Sequence, residues 1–231
     1  MANVRRDRPL LSLLCLYPLL VVADPPAIDP HADLLYRQAL PFLEQADAQS
    51  SALASGNGPS DRELVTQVEA LGRTLEPAVD LLDKAAELHH PVAQYRLALH
   101  YIAYLPTAKI STAACPLLDA SLAQGFAPAA LAIDSWCPSL RNAPGYRHAL
   151  ERAASLDTRF AAYFPQPAVR LQCQRGQPQG LAMQWGRQRD FQAEIYRLLA
   201  SVDHAQRTLY FQKAVDINGC VGAQRRLTSL H

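Results

Sequence analysis

The chain has no excess of charge of either sign: its 231 residues carry 22 Lys and Arg against 21 Asp and Glu. Without a basic surplus there is no electrostatic footprint for a polyanion, which argues against nucleic acid and anionic lipid surfaces as partners. Lysine is nearly missing. Lys84, Lys109 and Lys213 are all there is, and the other basic groups are arginines, whose planar guanidinium suits bidentate contact with carboxylates. Beyond residue 23 no apolar run is long enough to span a bilayer. No useful length of chain alternates apolar and polar residues, so the signal for a sheet is missing as well. There is no G-x-S-x-G, no phosphate-binding loop and no dinucleotide fingerprint. Glu44/Asp47 and Glu63/Glu69 are carboxylate pairs on helix surfaces with no evident pocket, which leaves a glycosidase unsupported. His89, His90 and His100 have no Cys or carboxylate at ligand spacing, and His148 and His204 are isolated. His89-His90 reads as a solvated corner pair. The expectation is a protein with no catalytic residue, no metal and no cofactor.

What is present begins with a leader. Arg5, Arg6 and Arg8 precede an apolar run Leu10–Val22, and Val21-Val22-Ala23 is a cleavage pattern. Residues 1–23 therefore read as a secretory signal peptide. Removing Arg5, Arg6, Arg8 and Asp7 turns the 22 basic and 21 acidic residues into 19 and 20. Export to a bacterial periplasm, with no membrane span in the mature chain, is the expected location.

The most informative stretch is Ala78–Tyr101, AVDLLDKAAELHHPVAQYRLALHY. Ala78, Leu81, Leu82, Ala85, Ala86 and Leu88 form an apolar stripe at helical spacing. His89-His90 interrupts it, and Pro91 stands where a second helix begins. Ala93, Leu97 and Tyr101 make one row of that helix. At an offset of 36 residues the pattern returns: Ala78 falls on Ala114, Leu82 on Leu118, His89 on Gly125, Ala93 on Ala129 and Leu97 on Ile133. A third copy, Arg152–Ala161, lies over Lys84–Ala93, and a fourth is Gln212–Leu227. A period in the thirties built from helix, turn and helix predicts an all-α solenoid of antiparallel helix pairs.

The pattern A-x-x-L-L-x-x-A-A-x-x-G/H-x-x-x-A-Q-x-x-L resembles the Sel1-like repeat, a relative of the tetratricopeptide repeat. The resemblance covers roughly residues 75–231. It implies helical repeats over 76–231, with 24–75 as N-terminal capping helices. It also implies a job of holding another protein. Exported short members of this family look like immunity partners of type VI-secreted lipase effectors of the phospholipase kind. An envelope scaffold or regulator of a polysaccharide or signalling system is the alternative, and a disulfide-rich hydrolase is a third.

In the capping region, Asp33–Leu53 is an expected helix with Leu34, Leu35, Ala39, Phe42, Leu43 and Ala46 inward and Pro41 kinking or dividing it. Ser55–Ser60 is a loop, and Ser60 with Glu63 starts a helix Asp61–Leu75. Cys115 and Pro116 start a helix whose partner ends at Trp136. Gln174–Gly186 is the least regular stretch, and Asp190–Val215 is a long helical pattern.

The chain has five cysteines; Cys15 falls within the expected leader, and the four that remain are an even set, which in an oxidising compartment predicts bridges. Cys115 and Cys137 are nearly symmetric about the corner at Gly125–Phe126, so folding the hairpin there brings them together. Cys173 and Cys220 are then left, either to pair or to stay as buried thiols. Partner contact is expected from exposed Trp, Tyr and Arg, the residues that dominate interfaces. The candidates are Trp185, Arg187, Arg189, Tyr104, Trp136 and Tyr146. Tyr101 continues a packing row. Trp185, between two glycines and two arginines, is the leading candidate.

Overall fold

The computed structural model describes residues 27–55, 61–155, 158–168, 170–174 and 184–229. The expected leader 1–23, the Ser60 cap and the centre of Gln174–Gly186 lie outside the described residues. Of the expected capping loop only Ser55 is inside them, and it is the last residue of a helix.

Asp29 caps the first helix, α1 (Pro30–Ser55), accepting from the backbone N–H groups of His31 and Ala32 at 2.8 and 3.0 Å. Ala32, Tyr36, Ala39, Leu43 and Ala46 face inward along it at helical spacing. Leu34, expected inward, is 52% exposed. Pro41 does not divide α1. Likewise α2 (Asp61–Glu87) is continuous through Pro77, across the expected boundary between residues 75 and 76. Two helices further on, α4 (Thr107–Ala123) begins well before Cys115 and carries Pro116 inside it. Pro41, Pro77 and Pro116 are all exposed. A proline leaves the carbonyl four residues earlier without its helical donor. On the solvent face water supplies that donor, so the helix survives.

Between α2 and α4 lies α3 (Pro91–Tyr104), in which every residue from Pro91 to Leu99 is buried. It packs against α2 on one side and α4 on the other. The corner before it closes with His89 N–H donating to the Ala86 carbonyl (2.9 Å) and His90 N–H to Ala85 (3.0 Å), while His89 takes the left-handed φ of 61°. After α4 the same corner returns before α5 (Pro128–Trp136). Gly125 N–H donates to Leu122 (2.8 Å), Phe126 N–H to Ser121 (3.2 Å), and Gly125 has φ 89°. All four residues of the second set stand 36 positions after the first, so the offset seen in the side chains is also an offset in backbone geometry.

The chain continues through α6 (Pro138–Arg141) and α7 (Tyr146–Ala154). The third copy ends there as a helix pair: its second half is a 3-10 turn, Thr158–Tyr163. A small antiparallel sheet follows, β1 (Gln166–Ala168) on β2 (Gln184–Gly186), with Pro167 opposite Trp185. The expectation of no strands is corrected by these two. The long pattern Asp190–Val215 is two helices, α8 (Gln188–Val202) and α9 (Arg207–Asn218). Asp203 separates them. Its carboxylate accepts from the N–H groups of Ala205 and Gln206 at 3.1 and 3.3 Å, offering the backbone an alternative to the helix. Gly219, at φ 71°, turns the chain into α10 (Val221–Thr228).

Among the described residues the fold is thus all-α apart from one two-stranded sheet. Its core is tied across the middle by rings: Tyr95 meets Phe126 at 5.5 Å, Phe126 meets Phe160 at 5.2 Å, and Phe164 meets Phe191 at 5.7 Å. Tyr95 also donates its hydroxyl to the Pro167 carbonyl at 2.6 Å, pinning β1 to α3. Both cysteine pairs are bridged. Cys115–Cys137 joins α4 to the end of α5, with Cα atoms 5.8 Å apart, and Cys173–Cys220 joins the segment after β1 to the start of α10. Two disulfides fit folding in an oxidising, extracytoplasmic compartment. No described helix is long and apolar enough to cross a membrane.

Candidate functional site

A cleft of about 230 Å³ opens between α1, α3, the residues around the 3-10 turn and β2. Tyr36 and Leu43 of α1 form one wall; Tyr163, Phe164 and Pro165 form the other. Arg96 of α3 lies at its base. The Arg96 guanidinium is 3.6 Å from the Asp47 carboxylate, and the ring of Trp185 sits over it at 5.6 Å. That geometry makes one stack of carboxylate, guanidinium and indole, a cation–π contact completed by an ion pair.

The far end of the cleft is a hydrogen-bonded cluster. Asp33 accepts from the Tyr163 hydroxyl and from Arg37 Nε, each at 2.7 Å. Partial burial pushes the Asp33 carboxyl up, but those donors outweigh it and hold the group below its ordinary value. Tyr163 is raised, first by burial and then by its bond to that carboxylate.

His90 belongs to the same cluster, and the expected solvated corner pair is corrected here: the side chain is 1% exposed and stacks on Tyr36 at 4.9 Å. Its Nδ1 accepts the Ala93 N–H at 3.2 Å, so it caps α3 and carries its proton on Nε2, 3.6 Å from Asp33. Burial lowers its pKa despite the nearby carboxylate. Asp47 moves the other way, raised by burial although Arg96 opposes it. The cleft is therefore a preformed surface of paired charges and aromatic faces. Among the described residues no three His, Cys, Asp or Glu converge as a metal site.

The six candidates separate. Trp185 is 40% exposed on β2 and covers Arg96. Arg187 is exposed two residues further, and its N–H is held by Asp190 at 2.9 Å at the start of α8. Tyr104 is 49% exposed near the end of α3 and rests on His100 at 4.8 Å. Its hydroxyl is raised first by burial and then by the charge on Asp47. Arg189 is elsewhere, donating to the Ile217 carbonyl at the end of α9 at 2.9 Å. Trp136 is half-buried against the core at the end of α5. Tyr146 is a packing residue: it is 5% exposed and donates its hydroxyl to the Ala130 carbonyl at 3.2 Å, so it cannot meet a partner.

Sequence reasoning missed Arg96, Asp33 and Tyr163, and it read Glu44 and Asp47 as surface carboxylates with no pocket, whereas both line the cleft. Arg96 carried a signal, because it interrupts an apolar helix whose neighbours are all packing residues. A charge there needs a partner. No family model, no curated protein and no solved structure matches the chain.

Proposed function

We propose that the chain is an exported α-solenoid of Sel1-like repeats that works by holding another protein, and that the partner docks over Trp185, Tyr104 and the Arg96–Asp47 pair. The observation that carries this reading is the exposed indole seated on a buried, carboxylate-paired arginine at the mouth of a preformed cleft. A rigid aromatic whose position is already fixed loses little freedom on binding, and Trp and Arg are the usual interface anchors. The identical corners 36 residues apart support the repeat architecture. The two bridges support the periplasm. The most concrete form of the proposal is an immunity protein that neutralises a secreted phospholipase-type effector, with no acid, base or nucleophile of its own.

The test is protection. Cells carrying a periplasm-directed phospholipase toxin should survive when they express the full chain and die when residues 1–23 are deleted. Trp185→Ala should weaken binding to the purified toxin by about 1–3 kcal/mol and leave melting unchanged. Equal protection by the leaderless form, or turnover of lipid by the chain alone, would sink the reading.

A further inference from the structure

A second cavity, of about 350 Å³, lies between α8, α9 and α10. Three helices each send one arginine to it: Arg197, Arg207 and Arg226. We propose that this pocket binds a phosphomonoester group. It is separate from the cleft under Trp185 and stands or falls independently of the protein-binding reading.

The charge balance comes first. No carboxylate lines the pocket. One pairs with its arginines: Glu194, fully buried, accepts from Arg197 Nε at 2.6 Å and from the Cys173 N–H at 2.6 Å. The nearby Asp203 is taken by Arg147 at 3.0 Å. Arg226 has no carboxylate partner among the described residues. Three guanidinium charges less one carboxylate leave two positive charges facing the cavity. A phosphomonoester carries a charge of about −1.5 to −2 at neutral pH and presents three acceptor oxygens, whereas a lone carboxylate would leave one charge unmatched.

Two of the three donors, Arg197 and Arg207, are also held in place. Glu194 fixes Nε of Arg197, which leaves its two Nη groups to donate. Arg207 is oriented by its Nε donating to the Ala200 carbonyl at 3.3 Å and by one Nη against His204 Nδ1, which leaves the other Nη to face a ligand. Gly222 lets α10 close onto α8: a Cβ there would stand 3.1 Å from the Gln172 carbonyl oxygen and 3.6 Å from Arg197 Cδ. Arg226, one turn further along α10, is thereby brought over the same cavity as Arg197. The bridge Cys173–Cys220 and the Val221 N–H to Cys173 carbonyl bond (3.3 Å) lock that approach. Ser201 and Ser229 commit their hydroxyl protons to the Leu198 and Arg226 carbonyls, so the arginines supply the recognition.

The experiment is calorimetric titration of the oxidised chain at low salt with inorganic phosphate and with glycerol 3-phosphate. A parallel flotation assay uses phosphatidylcholine vesicles with and without phosphatidic acid. Arg226→Gln and Arg207→Gln should each weaken binding about tenfold, the scale of one charge-assisted contact, with helicity and melting unchanged. Binding of the soluble phosphates, weakened to that extent in both variants, supports the pocket with a free organophosphate as its ligand. Binding to phosphatidic acid vesicles alone, weakened in both variants, supports it with a lipid headgroup as the source. No binding in either arm, or binding that both variants keep, overturns the proposal.

Discussion

The two corners that share one backbone geometry differ in the residue that bears the left-handed conformation, and that difference has a measurable sign. Gly125 holds φ 89° as a glycine; His89 holds φ 61° with a side chain. A Cβ added at Gly125 would meet nothing within 4 Å, so Gly125→Ala introduces backbone strain without a clash. Left-handed φ costs an L-residue about 1–2 kcal/mol. The stiffer unfolded chain of the alanine variant returns about 0.4–1 kcal/mol. The net is a loss of about 1 kcal/mol, or a melting point lower by about 2–4 °C for a chain of this size. His89→Gly runs the same balance backwards and should raise the melting point by a similar or smaller amount. Its side chain is exposed, and the contact it makes with the next unit, Gln124 Nε2 donating to the His89 carbonyl at 3.0 Å, uses only the backbone and is kept. Thermal and urea unfolding of the two variants under oxidising conditions decide the matter. A Gly125→Ala protein that melts at or above the parent, or a His89→Gly protein that melts below it, would show that the corners are not equivalent.

Removing Cys115–Cys137, with its sequence separation of 22, should cost about 3 kcal/mol of stability, measured by denaturant unfolding of the double serine variant. Removing Cys173–Cys220, with a separation of 47, should cost about 4 kcal/mol on the same scale, so the reverse ranking would count against a loop-closure origin. Tyr95→Phe leaves the Pro167 carbonyl without its donor in a fully buried setting and should destabilise by about 1–3 kcal/mol. Because burial depresses His90, the folded state favours the neutral ring. Its contribution is whole above the ordinary value of 6.5 and is lost as pH falls below that value toward the folded pKa. His90→Asn keeps a capping side chain, and its stability should change less than the parent's on acidification; an unchanged profile would refute the assignment.

The hairpin Ala78–Tyr101 was legible because its information is local: an apolar stripe, a corner residue, and a proline at the first position of the second helix. The Cys115–Cys137 bridge followed from the copy of that corner at Gly125–Phe126. Helix ends were less legible. Pro41 read as a kink or a division, Pro116 as part of a helix start, and the helix from Asp61 as ending at Leu75, just before Pro77. Yet each of these prolines sits on the solvent face inside a helix, and which face a residue takes depends on neighbours far away in sequence. The reverse error occurred at Asp203, where the apolar spacing continues but the side chain ends α8. Of the cleft, Trp185 and Tyr104 could be named from residue type. The partners that give the cleft its form could not. Asp33 and Tyr163 stand 130 positions apart, and no pattern in the chain marks their meeting.

The two bridges join the four described cysteines in order of appearance, first with second and third with fourth. Four cysteines allow three pairings, and this is the one whose loops neither interlock nor nest. A chain threading out of a membrane pore from its N-terminal end can close 115 to 137 before residue 173 has emerged. With Cys15 in the expected leader and not in the exported chain, the first loop then has no competing thiol. An oxidant that joins thiols as they appear makes the correct pairing by schedule alone, with no enzyme needed afterwards to reshuffle it. The connectivity therefore suits vectorial delivery better than refolding from a dilute denatured chain, where all four thiols are present at once.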